Sequence, residues 1–501
     1  MYNSTVDKKC SVSSAQAIAQ GISDDGGLFV PSEIPAYSAA DFEALKSLNY
    51  QGRAKKILGD FLTDFSKEEI DECVDLAYTA EKFEIENPTQ IASRTFCGDK
   101  INILELWHGP TSAFKDMALQ ILPHLLTKSF KKTYDGKEAV ILVATSGDTG
   151  KAALEGFKDV PGTKMIVFYP ENGVSPMQKH QMNVQLGENL NVCAIKGNFD
   201  DAQTCVKNIF TNSEIKAKLE ENNMIFSSAN SINWGRLLPQ IVYYISAYCD
   251  LMSKGVVKYP EKINIVVPTG NFGNILAAYY AYKMGIPVNK FICASNSNNV
   301  LTEFIETGIY NKNRMFFTTN SPSMDILVSS NLERLLYHLS QNDDTKIKGY
   351  MQSLKQSGSY EIDAEMKAEL QKLFFGGYCD DKATKETIAK MFSEDNYLLD
   401  THTAVAVNVY HQYIEKTNDS STPVILASTA SPYKFSKSVL EAISPDDAKI
   451  ENEFKMIDRL NEITKVHVPK PLDEIKTMKP RFNNVTEIEK MPEYVLGHLG
   501  L

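Results

Sequence analysis

The chain has 501 residues, 43% of them apolar and 23% charged, with a formal net charge of −11. That length exceeds what one hydrophobic core sustains, so two or three packed units are expected, and the composition excludes a disordered chain. The acidic balance disfavours a nucleic-acid phosphate binder, and eight cysteines scattered from Cys10 to Cys379, without a CxxC pair or a His at ligand spacing, signal neither a disulfide framework nor a metal site.

The opening segment MYNSTVDKKCSVSS has no apolar signal core. No stretch approaches the roughly 20 apolar residues that span a bilayer, so a cytoplasmic protein without a membrane partner is expected. Residues 1–95 read as mostly helical, with a break at DDGGLFVPSEIP, and are taken as an N-terminal cap domain. From 96 to 501, short β-branched runs alternate with glycine-rich turns and helical segments: EAVILVATSGDTG, KMIVFYP, INIVVPTGNFGN and PVILASTASPY. That alternation predicts an α/β fold, with open twisted sheets and helices on both faces. Within it, 140–235 is read as a smaller subdomain and 340–395 as an insertion of solvated helices; the tail from 468 reads as a strap over the surface.

Ligands in such sheets sit beyond the carboxyl ends of the strands. In WHGPTSAFKDMALQ, from Trp107, a Gly-Pro turn delivers a helix whose first turn holds Lys115 and Asp116. A cation is disfavoured at a helix N-terminus, and burial behind Phe114 and Met117 acts in the same direction, toward the neutral amine that Schiff-base chemistry needs. On position alone, a surface lysine is the simpler reading. TSGDTGKAA, from Thr145, turns glycines and hydroxyls toward an anion, as a carboxylate-binding turn does. It is not a P-loop, because only two residues separate Gly147 from Gly150 and Ala follows Lys151.

PTGNFGNILAA, from Pro268, offers Gly270 and Gly273 for close backbone approach, with the amides of Asn271 and Asn274; this suits a phosphate ester, though a plain βα turn fits the loop equally well. In ASTASPYKF, from Ala427, a hydroxyl either faces a ring nitrogen or caps the next helix, and capping is the simpler reading. Arg236 in NSINWGRLLPQ suits a phosphate or an interdomain salt bridge alike. His402 in DTHTAVA reads as structural.

Taken in order, HGPTSAFKD, ATSGDTGKAA, NSINWGR, PTGNFGN and STASPYKF resemble the motif set of the threonine synthase family, among the fold type II, tryptophan synthase β-like, pyridoxal phosphate enzymes. AQAIAQGISDDGGLFVPSEIP, from Ala15, is similar to that family's opening segment, so the likeness covers most of the chain and thins at 340–395 and after about 440. The resemblance implies pyridoxal 5'-phosphate held as a Schiff base on Lys115, with its phosphate on Gly270, Asn271, Phe272 and Asn274. It implies a hydroxyl opposite the pyridine nitrogen at Thr429, with Ser428 the rival. The substrate carboxylate falls on Ser146, Gly147, Asp148 and Thr149, and Arg236 is a candidate for the substrate's phosphate; no metal is implied.

The implied reaction turns O-phospho-L-homoserine and water into L-threonine and phosphate. A related phospholyase or β-replacement enzyme acting on another O-phospho amino acid is the alternative, and cofactor binding without catalysis is a third reading. Many members carry arginine after the early Ser-Thr pair, where this chain has Val6 after Ser4 and Thr5, so that arginine's role has no counterpart at this position. The long form resembles fungal and some bacterial versions, so no response to S-adenosylmethionine is expected. The expected partner is a small-molecule substrate, with monomer and homodimer both open.

Overall fold

Runs such as INIVVP and VILAS are apolar at all but one position, the pattern of strands covered on both faces. In the computed structural model, which describes residues 1–145, 147–172 and 174–501 and every side chain among them except that of Asp200, these runs are central strands of a six-stranded sheet. Its order is Phe374–Tyr378, Val288–Ser295, Ile263–Pro268, Val424–Ser428, Asp99–Glu105, Gln90–Phe96. All neighbours are parallel except the last pair. A second sheet of five parallel strands runs Asn484–Glu487, Leu190–Lys196, Thr163–Pro170, Glu138–Ala144, Met224–Ser227.

This arrangement gathers the loops that matter. Ile263–Pro268, Val424–Ser428 and Asp99–Glu105 are neighbours in one direction, so their carboxyl ends deliver the glycine loop at 270, the hydroxyl loop at 429 and the segment leading to Lys115 side by side. The middle loop of this trio and the segment leading to Lys115 are joined by backbone: Phe114 N–H donates to the Thr429 carbonyl at 2.9 Å, and Ser431 N–H to that of Ser112 at 3.1 Å. In the smaller sheet, Glu138–Ala144 leads into helix Asp148–Phe157.

Residues 1–95 begin as three antiparallel strands, Tyr2–Ser4 between Ser11–Val12 and Phe29–Pro31, so the break at 24–35 closes into a strand. Helix Lys67–Ala77 starts at a reciprocal cap between Ser66 and Glu69 and buries Ile70, Cys73, Val74 and Ala77, the spacing of one helix face. The cap leans on helix Trp234–Ser253: Arg53 reaches Asp250 at 2.6 Å, and the rings of Tyr2 and Trp234 lie 5.3 Å apart. Apolar side chains of the cap and of the following residues form one continuous cluster.

Two regions differ from the reading of solvated surface. Within 340–395, Phe374–Tyr378 is an edge strand of the large sheet, flanked by the helices Ala364–Leu373 and Asp381–Asp395. The tail is no strap. Asn484–Glu487 pairs with Leu190–Lys196, and helix Met491–Leu499 packs Met491, Val495 and Leu499 into the core of the smaller sheet. Their four-residue spacing is a helix stripe, and Pro492 is tolerated in the first turn. Among the described residues, no helix is long and apolar enough to cross a membrane.

Candidate active site

The segment from Trp107 to Lys115 is wound around one buried carboxylate. Asp116 accepts from the N–H of Thr111 at 2.8 Å and from its hydroxyl at 2.7 Å, and the turn passes so close that a Cβ on Gly109 would stand 2.5 Å from Asp116 Cβ. Burial raises this carboxyl to about 6 against those hydrogen bonds. The winding points Lys115 inward, where the residue is 8% exposed. Its Nζ lies 3.7 Å from Asp148 Oδ2, 3.5 Å from Ser323 Oγ and 5.1 Å from the Phe114 ring centroid. Burial pushes the amine down to about 8; Asp148 opposes this, while Lys434 and Arg236 assist. The helix that follows, Asp116–Leu119, is too short for its field to be the main cause, so burial takes the place of the helix-terminus effect expected from the motif.

Asp148 opens helix Asp148–Phe157 and faces two lysines rather than solvent. Lys434 Nζ sits 2.7 Å from Asp148 Oδ1 and 2.9 Å from the Thr111 carbonyl, with its side chain wholly buried. Gln178 donates to the same Oδ1 at 3.1 Å. Burial alone would raise the Asp148 carboxyl; Lys434, Lys115 and these hydrogen bonds outweigh it and hold the group well below the usual range. Asp148 is therefore an ion-pair partner in this structure. Gly147 has φ of +146°, and a Cβ there would run into the Gln178 amide. Thr145 Oγ1 accepts from the N–H groups of Gly147 and Gly150, each at 3.0 Å, and Thr149 is half-buried. Ser146 lies outside the described residues.

In the glycine loop, Phe272 takes a left-handed conformation at φ +63° and helix Gly273–Lys283 begins with no side-chain cap. Asn274 is buried; its Oδ1 accepts from Tyr244, and its Nδ2 has no partner among the described residues. Asn271 is solvent-exposed, and its carbonyl accepts from Asn331. Gly270 presses against the Ser323 carbonyl, which a Cβ would meet at 2.5 Å. An uncapped helix start with an orphaned amide beside it is a site for an anion.

The two hydroxyls at 428 and 429 differ in availability. Ser428 Oγ accepts from Trp107 Nε1 at 3.1 Å and lies 3.0 Å from the Thr403 hydroxyl. Thr429 is equally buried, but its hydroxyl bonds to no described residue. Arg236 is 4% exposed, gives one hydrogen bond from Nη1 to the Ala229 carbonyl at 3.0 Å, and keeps Nε unpartnered. Burial lowers it to about 10. No described carboxylate pairs with it, which removes the salt-bridge reading. Lys151 is held by Glu155 and Gln185. A cavity of 510 Å³ reaches this region at Gln178, Pro322 and Lys434. Among the described residues, no group of His, Cys, Asp and Glu is arranged to hold a metal ion.

Three family models match the chain: "Threonine synthase N terminus" over residues 1–78, "Pyridoxal-phosphate dependent enzyme" over 83–429, and "Threonine synthase, C-terminal" over 403–494. The chain is similar to threonine synthase of Saccharomyces cerevisiae, 34% identical over 93% of this chain and 96% of the yeast protein. The chain belongs to the threonine synthase family. It is also similar to a crystal structure of PLP-bound threonine synthase from Brucella melitensis, with TM-score 0.86, 34% identity and 99% of each chain covered. Human threonine synthase-like 1 is 40% identical over 86% of this chain, and the chain spans 58% of that protein's length.

The fold is that of the fold type II pyridoxal phosphate enzymes, and pyridoxal 5'-phosphate is the cofactor of this family. The residues present fit it: a buried lysine, an uncapped helix start with the free Asn274 amide for a phosphate, and an unengaged Thr429 hydroxyl. Lys434, Gln178 and Ser323 are additions to the residues expected from sequence. Lys434 stands inside the STASPYKF motif, but no spacing marked it as the partner of Asp148.

Proposed function

We propose that the chain converts O-phospho-L-homoserine and water to L-threonine and phosphate, with Lys115 as the cofactor lysine. The observation that supports this most is the setting of Lys115: a buried amine held near 8, in the segment that follows a strand neighbouring the one that carries Thr429, with the strand leading to the uncapped Gly273–Lys283 helix next in order. Bound pyridoxal phosphate supplies an electron sink for charge that develops on the substrate's carbon chain. The ε-amine of Lys115 carries one extra proton at a time: it takes the proton from Cα, passes it on and takes that from Cβ as phosphate leaves Cγ. It then returns protons at Cγ and Cα while water gives its hydroxyl to Cβ and its proton to the released phosphate. Asp148, fixed by Lys434 and Gln178, offsets the charge that Lys115 gains on accepting a proton.

We assign the substrate carboxylate to the backbone and hydroxyl of Gly147–Thr149, with Asp148 an ion-pair partner there, and a substrate anion to Arg236, which no described carboxylate pairs. Thr429 faces the ring nitrogen, since Ser428 is already engaged. Release of phosphate together with formation of threonine tests the reaction. Lys115→Ala is expected to lose both this turnover and the visible band of bound cofactor; a retained band sinks the lysine assignment.

One observation favours the alternative on another O-phospho amino acid. Val6 packs half-buried against the apolar core, its N–H donating to the Ser4 hydroxyl at 3.3 Å, so no cation stands there. Phosphate release from O-phosphothreonine or O-phosphoserine, with none from O-phosphohomoserine, selects that reading.

A further inference from the structure

The short turn Pro322–Met324 lies between two parts of the site that must keep a fixed separation. Ser323 Oγ accepts from Lys115 Nζ at 3.5 Å, a long bond of the kind that tightens when a ligand is in place. The carbonyl of the same residue abuts Gly270 of the anion loop. One residue thus touches both the reactive amine and the phosphate cradle. The turn has no side-chain cap of its own, so its position is set from outside.

His402 sets it. Its Nε2 accepts the Ser323 N–H at 3.2 Å, its Nδ1 is 3.0 Å from Asp400 Oδ1, and its ring lies 4.8 Å from that of Phe435. An ionised carboxylate only accepts, so Asp400 draws the ring proton to Nδ1 and leaves Nε2 bare for Ser323; a doubly protonated ring would meet that N–H with one of its own. Asp400 is in turn fixed as the N-cap of helix Thr401–Thr417, accepting from the N–H groups of His402 and Thr403 and from the Thr403 hydroxyl. Asp400 and His402 are both buried. A packing role would need only the shape of the ring; this arrangement uses its acceptor nitrogen and the Ser323 hydroxyl.

We infer that Ser323 is a positioning residue for the ε-amine of Lys115, held in place by the His402–Asp400 pair. The inference rests on Lys115 being the cofactor lysine. It is tested on the full chain stripped of cofactor, by competitive acetic anhydride labelling of Lys115 read by mass spectrometry, and by the rate at which the visible band grows when pyridoxal phosphate is added. Ser323→Ala is expected to keep the wild-type melting temperature, to change the labelling of Lys115 alone among the lysines, and to slow band growth about tenfold, the size of one lost hydrogen bond to a charged or reactive group.

Ser323→Thr and His402→Gln, which keep a hydroxyl and an acceptor respectively, are expected to recover most of the rate. His402→Ala is expected to match Ser323→Ala in rate while also losing packing, and the double variant to be no slower than either single one. Wild-type labelling and wild-type band growth in Ser323→Ala overturn the inference, as do fully additive effects in the double variant. A band that persists in Lys115→Ala overturns the lysine assignment instead; loss of the band there with an unaffected Ser323→Ala overturns only the positioning role.

Discussion

Lys115 couples charge to stability within a single side chain. Burial takes its amine from an ordinary 10.5 to about 8, so labelling of the cofactor-free protein is expected to show half-titration near pH 8. Between about 8 and 10.5 the unfolded chain binds more protons than the folded one, and stability therefore rises with pH across that window. Below pH 8 both states are charged and the burial cost, of order 3 kcal/mol, is fully present. Urea unfolding of cofactor-free Lys115→Met is expected to lack this rise; an identical pH profile would contradict it. Lys434→Met removes a like charge from beside Lys115 and frees Asp148 to pair with it, and both changes raise the Lys115 titration above 8. At neutral pH, cofactor capture should slow accordingly, and unchanged labelling would argue that Lys434 serves only the fold.

At the scale of elements, the site is a set of strand ends held in register by contacts that leave no room for side chains. Gly147→Ala would place a side chain at φ +146°, at a cost of order 1–3 kcal/mol, and displace Gln178 from Asp148. The expected result is a lower melting temperature with a raised KM and a nearly unchanged cofactor affinity. Gly270→Ala meets backbone instead, the Ser323 carbonyl, so the cofactor is expected to bind at least tenfold more weakly, as read by titration of the visible band.

Both loops are legible in the sequence because glycine, hydroxyl and amide residues follow directly on largely apolar strands. Lys434 and Ser323 are not, because their partners are far along the chain: Lys434 bonds a carbonyl 323 residues away, and Ser323 meets Lys115 across 208 residues. The strand Phe374–Tyr378 is masked for another reason. It is short, contains two glycines and sits among charged helices, so its apolar character does not stand out from the solvated pattern around it.

For the whole molecule, the clearest departure from the sequence reading is the tail, where prolines and charges suggest a surface strap but the last residues complete a sheet. Truncation after Phe482 removes an edge strand and the buried Met491, Val495 and Leu499. The expected loss is several kcal/mol, at about 1.5–3 per buried side chain, seen as a lower melting temperature and self-association in size-exclusion chromatography. Cofactor affinity should change much less, because the large sheet carries Lys115, Gly270 and Thr429. The other four strands of the smaller sheet all lie between 138 and 227. During synthesis they emerge long before the strand at 484–487, and the Leu190–Lys196 edge stays open to foreign strands until that strand has been made. The smaller unit therefore reaches its native form only after the strand at 484–487 has been made, and its open edge is exposed to mispairing for all of the synthesis in between.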